Sequence, residues 1–224
     1  SVLVQKGLRD AATSAILDAC RTGGVRFRLA AREELDRLWK GAHQGVVAQV
    51  VPLEFKTLDD LLDGLLDAPL PLLIALDQVQ DPRNVGALAR TLLAFGAAGL
   101  ILPKHNSSRL GAGAWKASAG ALARLPVARV TNLSQSLDRL ENEGLPIYCA
   151  ATGPGARNLY EERLHLPAVL VLGNEEKGVR QGVTKRCGVK LEIPMPGGFD
   201  SLNVGQAGAV IASHFAAAKL ARKG

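Results

Sequence analysis

The segment LLIALDQVQDPRNVGALARTLLAFG, residues 72–96, joins an unbroken apolar run to a polar loop and then to a helical pattern. Leu72 to Leu76 is apolar at every position. A half-exposed strand would alternate, so the spacing predicts a strand covered on both faces, as in parallel sheets sandwiched between helices. Beyond the loop, Asn84 can cap a helix that ends near Phe95, with Gly96 as its terminator. Similar runs recur at Gly99 to Leu102, Ile147 to Ala151, Ala168 to Leu172 and Val189 to Ile193, with helical patterns between them. This rhythm predicts an α/β fold with a mostly parallel sheet. A closing helix is expected over Asn203 to Lys223, its last basic residues complementing the helix dipole.

Upstream, residues 1–52 read as a small α/β module. Its expected elements are a helix over Leu8 to Cys20, a strand over Val25 to Leu29, a helix over Arg32 to Trp39 and a β-branched strand over Gly45 to Val51. Pro52 ends that strand because proline has no N–H for a sheet ladder. Residues 53–71 read as a linker with a lead-in helix over Leu58 to Leu66, opened by Thr57 and Asp60 and broken by Pro69 and Pro71. Residues 72–224 form the main domain.

The 224 residues are 47% hydrophobic and 21% charged, enough apolar surface for a sizeable core, which excludes the disordered class. The apolar runs stop well short of the roughly 18 residues of a membrane span. Lys and Arg number 27 against 21 Asp and Glu, a net charge of +6 spread along the chain, which fits a polyanionic partner without establishing one. Cys20, Cys149 and Cys187 lie far apart with no CxxC spacing, which argues against a disulfide framework and a zinc ribbon and fits a reducing compartment. Ser1 stands where an initiator Met would, so the start reads as trimmed or processed. A cytoplasmic location of bacterial type is expected, and the trimmed start leaves an organelle open.

Ligand sites in open α/β sheets lie at the carboxyl ends of strands, which singles out three loops. After the first, Arg90 falls amid Leu88, Leu92 and Leu93, an unusual setting for a guanidinium without an anion; the plainer alternative is an ion pair with Asp77 or Asp81. The second is Gly173-Asn174-Glu175-Glu176-Lys177-Gly178. Its glycines let backbone approach a ligand and its acidic pair can bind hydroxyls or cations, unless the string is a solvated turn. The third, Ile193 to Asn203, joins a strand end, a glycine-rich loop and a helix start, which suits a small polar ligand; capping alone would equally account for Ser201 or Asn203. No GxGxxG after a first strand, GxxxxGK[ST], GxSxG or HExxH occurs, and His43, His105, His165 and His214 share no ligand spacing. Dinucleotide, P-loop, serine-hydrolase and zinc-protease chemistry therefore lack their residues.

Taken in order, the three loops resemble the motifs of the SpoU/TrmH family of RNA ribose 2′-O-methyltransferases, in the SPOUT superfamily. DPRNVGALARTLLAFG (81–96) resembles motif 1, LVLGNEEKG (170–178) motif 2 and IPMPGGFDSLNVGQA (193–207) motif 3. KASAGAL (116–122), LPVARVTNL (125–133) and HQGVVAQV (43–50) are most similar to the RlmB branch, which methylates a guanosine of large-subunit ribosomal RNA. The resemblance implies a SPOUT α/β-knot fold with a deep C-terminal trefoil knot that holds S-adenosyl-L-methionine. It further implies a homodimer acting on RNA, here large-subunit rRNA, without metal or membrane. It assigns functional roles to Asn84, Arg90, Glu175, Ser201 and Asn203, with Arg90 at the ribose hydroxyl, and cofactor backbone contacts to Gly173, Ile193 and Leu202.

The N-terminal module resembles the family's L30e-like RNA-binding domain with its beginning missing, since the residues before Leu8 look too few for the usual first strand and helix. Motif 3 departs from the common SLNVSVA at Gly205-Gln206, a change expected to touch helix packing more than methyl transfer. Phosphate neutralisation is expected from Lys104, Arg109, Lys116, Arg124, Lys177 and Arg180, because 4% aromatic content leaves little for base stacking.

Overall fold

The structure, a computed structural model, describes Ser1 to Ala221 and consists of two compact units, Ser1–Pro52 and Leu53 onward. Arg222 and Lys223, expected as the basic end of the closing helix, lie outside the described residues.

In the first unit β1 (Val2–Gln5) is the middle strand of three, parallel to β2 (Phe27–Ala30) and antiparallel to β3 (Val46–Ala48). The residues before Leu8 thus form a strand, β1, with no helix ahead of α1 among the described residues. Four residues suffice because the backbone of a middle strand bonds on both sides. β3 stops at Ala48, where its partner strand ends at Val2, so the β-branched Val50 and Val51 stay exposed. Helix α1 (Ala11–Thr22) starts later than its apolar spacing predicts because Asp10 caps it, accepting from the Thr13 N–H at 2.8 Å. Helix α2 (Arg32–Leu38) contributes Leu35 to a small core with Leu3 and Ala30.

The second unit opens with α3 (Leu58–Asp63), held by a reciprocal Thr57–Asp60 capping box and ended by Gly64. Seven parallel strands follow: β4 (Leu70–Leu76), β5 (Ala97–Pro103), β6 (Val127–Val130), β7 (Ile147–Ala150), β8 (Ala156–Asn158), β9 (Ala168–Leu172) and β10 (Val189–Glu192). Their order across the sheet is β6-β5-β4-β9-β7-β10-β8. The α/β class with a parallel sheet and a small N-terminal α/β unit is thus as expected. The runs missed by reading apolar stretches are β6, interrupted by Arg129, and β8, an edge strand of sequence ARN with no apolar side to bury.

Strands β4, β5 and β9 are buried at every position, as continuous apolar runs require. Alternate residues serve opposite faces. Leu72, Ile74 and Leu76 pack with Val85, Leu88 and Leu92 of α4 (Pro82–Phe95), Ala114 of α5 (Ala112–Ser118), and Ile211 and Phe215 of the closing helix. Leu73 and Ala75 pack with Leu61 of α3, Leu137 of α6 (Leu133–Asn142) and Val183 of α7 (Gln181–Thr184). The closing helix, α8, spans Val204–Ala221.

Candidate active site

Pro82 occupies the first position of α4, where a missing N–H costs nothing, and the Asp81 carboxylate caps it by accepting from the Arg83 N–H at 2.8 Å. Asn84 is therefore the third helical residue and not the cap. Its side chain is left free to reach across the sheet edge: Asn84 Nδ2 donates to Glu175 Oε1 at 2.5 Å, and Asn84 Oδ1 accepts from Asn203 Nδ2 at 3.0 Å. Asn203 Oδ1 in turn accepts from the Gly205 N–H at 2.9 Å at the start of α8, so Asn203 caps its helix and joins the network at once. One side-chain path thus links the loops that follow β4, β9 and β10.

The loop after β9 is a tight turn built by Asn174. Asn174 and Gly178 exchange backbone hydrogen bonds at 3.1 and 2.8 Å, while Asn174 Oδ1 accepts from the N–H groups of Glu176 and Lys177 at 3.0 and 3.2 Å. Gly173 permits the turn: a Cβ there would lie 2.1 Å from the Gly178 carbonyl carbon and 2.2 Å from the Val179 nitrogen. Beneath it, Asp77 is fully buried and accepts from the Arg180 N–H and Nε, each at 2.8 Å, with a second guanidinium nitrogen at 2.7 Å. A buried carboxylate needs such a partner. The pair ties the end of β4 to the loop after β9 and was not legible in the sequence, where Arg180 looked available for phosphate. It also removes Asp77 as a partner for Arg90, and Asp81 is taken by Arg83, whose side chain holds the Asp81 carboxyl below the usual range.

Around these loops lies a cavity of about 520 Å³, within the ~300–1,000 Å³ typical of small-molecule sites. It is lined by Gly173, Glu175, Ile193, Ser201 and Leu202 among the expected residues. Thr152, Thr184 and Lys190, which sequence reasoning missed, also line it, together with the apolar Leu172, Leu191 and Val204. Ser201 makes no hydrogen bond among the described residues, so its place is in the lining and not in a helix cap. Arg90 is not in this cavity. It lies six residues beyond Asn84 on α4, about 9 Å of helix rise, on an exposed face that borders a separate groove. Among the described residues no group of three or more His, Cys, Asp or Glu could hold a metal ion, and no helix is long and apolar enough to cross a membrane.

Residues 71–213 match the model of the SpoU rRNA methylase family, and residues 1–56 match that of the RNA 2′-O ribose methyltransferase substrate-binding domain. An uncharacterized tRNA/rRNA methyltransferase of Mycolicibacterium gilvum is 40% identical over 195 residues, covering 86% of this chain. The chain spans only 62% of the length of that relative. Among solved structures, the SpoU methyltransferase AviRb of Streptomyces viridochromogenes matches 99% of the chain and 82% of its own with a TM-score of 0.77 at 26% identity. The TrmH/SpoU tRNA modifying enzyme of A. aeolicus matches 74% of the chain and 84% of its own, with a TM-score of 0.64 and 26% identity. A second AviRb structure contains the cofactor AdoMet.

Proposed function

The chain belongs to the SpoU rRNA methylase family, and from that membership we propose that it transfers a methyl group from S-adenosyl-L-methionine to a ribose 2′-hydroxyl of RNA. The proposed target is a guanosine of large-subunit rRNA, as in the RlmB branch. The observation that carries the reading is the Glu175–Asn84–Asn203 path at the rim of the cavity, which brings all three motifs to one place.

The cavity fits the cofactor by its chemistry. Leu172, Leu191, Ile193, Leu202 and Val204 offer an apolar bed for a purine, and Gly173, Ile193 and Leu202, which line the cavity, are assigned the main-chain contacts to its polar edge. Glu175, Glu176 and Asp200 supply carboxylates for ribose hydroxyls and for a cation. When bound, the cofactor supplies a methyl group activated by a sulfonium. The chain's own residues then have to align the 2′-hydroxyl and help its proton leave, gains of positioning and acid–base catalysis. Glu175, oriented by Asn84, accepts the hydroxyl's hydrogen bond, and Ser201 and Asn203 fix the approach of the ribose.

Arg90 is a poor base, since a guanidinium stays charged below about pH 12. Its proposed role is to stabilise the developing alkoxide and orient the adjoining phosphate. Because a single chain holds Arg90 away from the cavity, it is supplied by a second copy in a homodimer. The trefoil knot implied by the family resemblance belongs to the same reading, with the chain after β9 and β10 wound about the cofactor.

Single-turnover transfer of labelled methyl from the cofactor into deproteinised total RNA tests the proposal. Incorporation confined to one large-subunit guanosine, and lost in Arg90→Ala with cofactor still bound, is the expected outcome. Incorporation into tRNA instead would move the substrate, an unimpaired Arg90→Ala would remove Arg90 from the site, and none from the unaltered chain would overturn the activity.

A further inference from the structure

The net charge of +6, read from the sequence as spread along the chain, is concentrated. Between Asp81 and Asp138 the chain contains no acidic residue and seven basic ones, so all 21 acidic residues lie outside this segment. The segment folds into α4, β5, α5, the 3-10 turn Ala121–Ala123 and β6. Its helical parts pack on one another, leaving a groove of about 360 Å³ between α4 and the turn after α5. Arg90 and Arg124 face this groove together with Leu93, Ala94 and the small residues Ser118 to Ala121.

We propose that this groove binds a phosphodiester of the RNA strand, with Arg124 as a positioning residue next to Arg90. The inference rests on the RNA-methylating reading above. Both arginines are exposed, and neither guanidinium makes an ion pair or hydrogen bond among the described residues, whereas Arg83, Arg139, Arg157, Arg180 and Arg186 of the same unit each hold a carboxylate. Two unpaired guanidiniums sharing one concavity repel each other unless an anion lies between them.

The groove has open backbone at Gly120. Ala119 and Gly120 have φ of +48° and +87°, and a Cβ built at Gly120 meets nothing within 4 Å, so the main chain there is open to a ligand. Ser118 is not a free donor, because its hydroxyl donates to the Trp115 carbonyl at 2.9 Å. No aromatic ring lines the groove to stack a base. Guanidiniums, an open backbone and an apolar wall suit a phosphate and carry no base readout, which makes this a positioning contact.

The test is binding of deproteinised large-subunit rRNA to the full chain across a salt series, comparing unaltered protein, Arg124→Gln and Arg124→Lys. Losing one phosphate contact should weaken binding about five- to tenfold at low salt and reduce the slope of log affinity against log salt by about one, with Arg124→Lys close to the unaltered protein. A thermal melt checks that the exposed substitution leaves the fold intact. An unchanged slope in Arg124→Gln, or an equal loss in Arg124→Lys, overturns the proposal. So does saturable binding of inorganic phosphate lost in Arg124→Gln while RNA binding stays the same, which would make the groove a small-anion site. If the unaltered protein binds RNA but transfers no methyl, the proposed activity fails and the salt comparison still decides the groove. If it methylates while Arg124→Gln binds normally, the groove alone fails.

Discussion

Gly173→Ala should disable the proposed cofactor site while leaving most of the fold in place. The added carbon would sit 2.1 Å from the Gly178 carbonyl carbon and 2.3 Å from its oxygen, against the 3.4 Å at which ordinary contact begins. The turn has to move by roughly the 1.3 Å difference, because both clashing atoms are backbone and no side chain can rotate away. Such a shift breaks the paired backbone hydrogen bonds between Asn174 and Gly178. Two such bonds at about 0.5–1.5 kcal/mol each, plus about 1–3 kcal/mol of overpacking, sum to about 2–6 kcal/mol, taken up locally by the turn that carries Glu175. Calorimetric titration with S-adenosylmethionine should show a loss of affinity of about thirtyfold or more, the equivalent of about 2 kcal/mol or more. Gly182→Ala is the matched control: nothing lies within 4 Å of its Cβ and it sits inside α7, so affinity should hold. Gly173→Ala binding within about twofold of the unaltered chain, well under 1 kcal/mol, would refute the argument that this glycine shapes the site.

Three further outcomes follow from the same contacts. Asn84→Asp puts a carboxylate within hydrogen-bond reach of Glu175, and like charges raise the pKa of one of the pair; methyl transfer relative to the unaltered chain should therefore recover as pH falls and worsen as it rises, read from parallel pH–rate profiles. Asp77→Asn removes the charge buried beneath the site while Arg180, 47% exposed, can return to water, so urea unfolding should show a loss of about 1–3 kcal/mol. Gly86→Ala places a carbon 2.4 Å from the Ala114 carbonyl oxygen; about 1 kcal/mol of helix propensity is gained against about 1–3 kcal/mol of forced separation of α4 from α5, giving a net fall in the denaturation midpoint.

The sheet was legible because its central strands carry one property along their whole length. LLIAL and AVLVL are buried on both faces and read so without neighbours. The loops at their carboxyl ends were legible for a related reason, since each departs abruptly from that pattern. What the sequence did not disclose depends on distance along the chain. Asn84 meets Glu175 and Asn203 from 91 and 119 positions away, and Asp77 meets Arg180 from 103, so local spacing holds no trace of either contact. The cap of α4 turned on a finer competition: Asp81 before Pro82 outranks Asn84, because proline is best placed at the first helical position. Arg90 falls amid leucines in the sequence, which suggested an anionic partner, yet α4 leaves it on the exposed face and both candidate aspartates are held by other arginines. Edge strand β8 stayed invisible because an edge needs no apolar run.

The most direct measurement is the chemical identity of the product. RNA incubated with the chain and S-adenosylmethionine would be digested to nucleosides and resolved by mass spectrometry. The account predicts that the added methyl group stays with the ribose as a 2′-O-methyl nucleoside, and a methyl group carried instead by the base would contradict it.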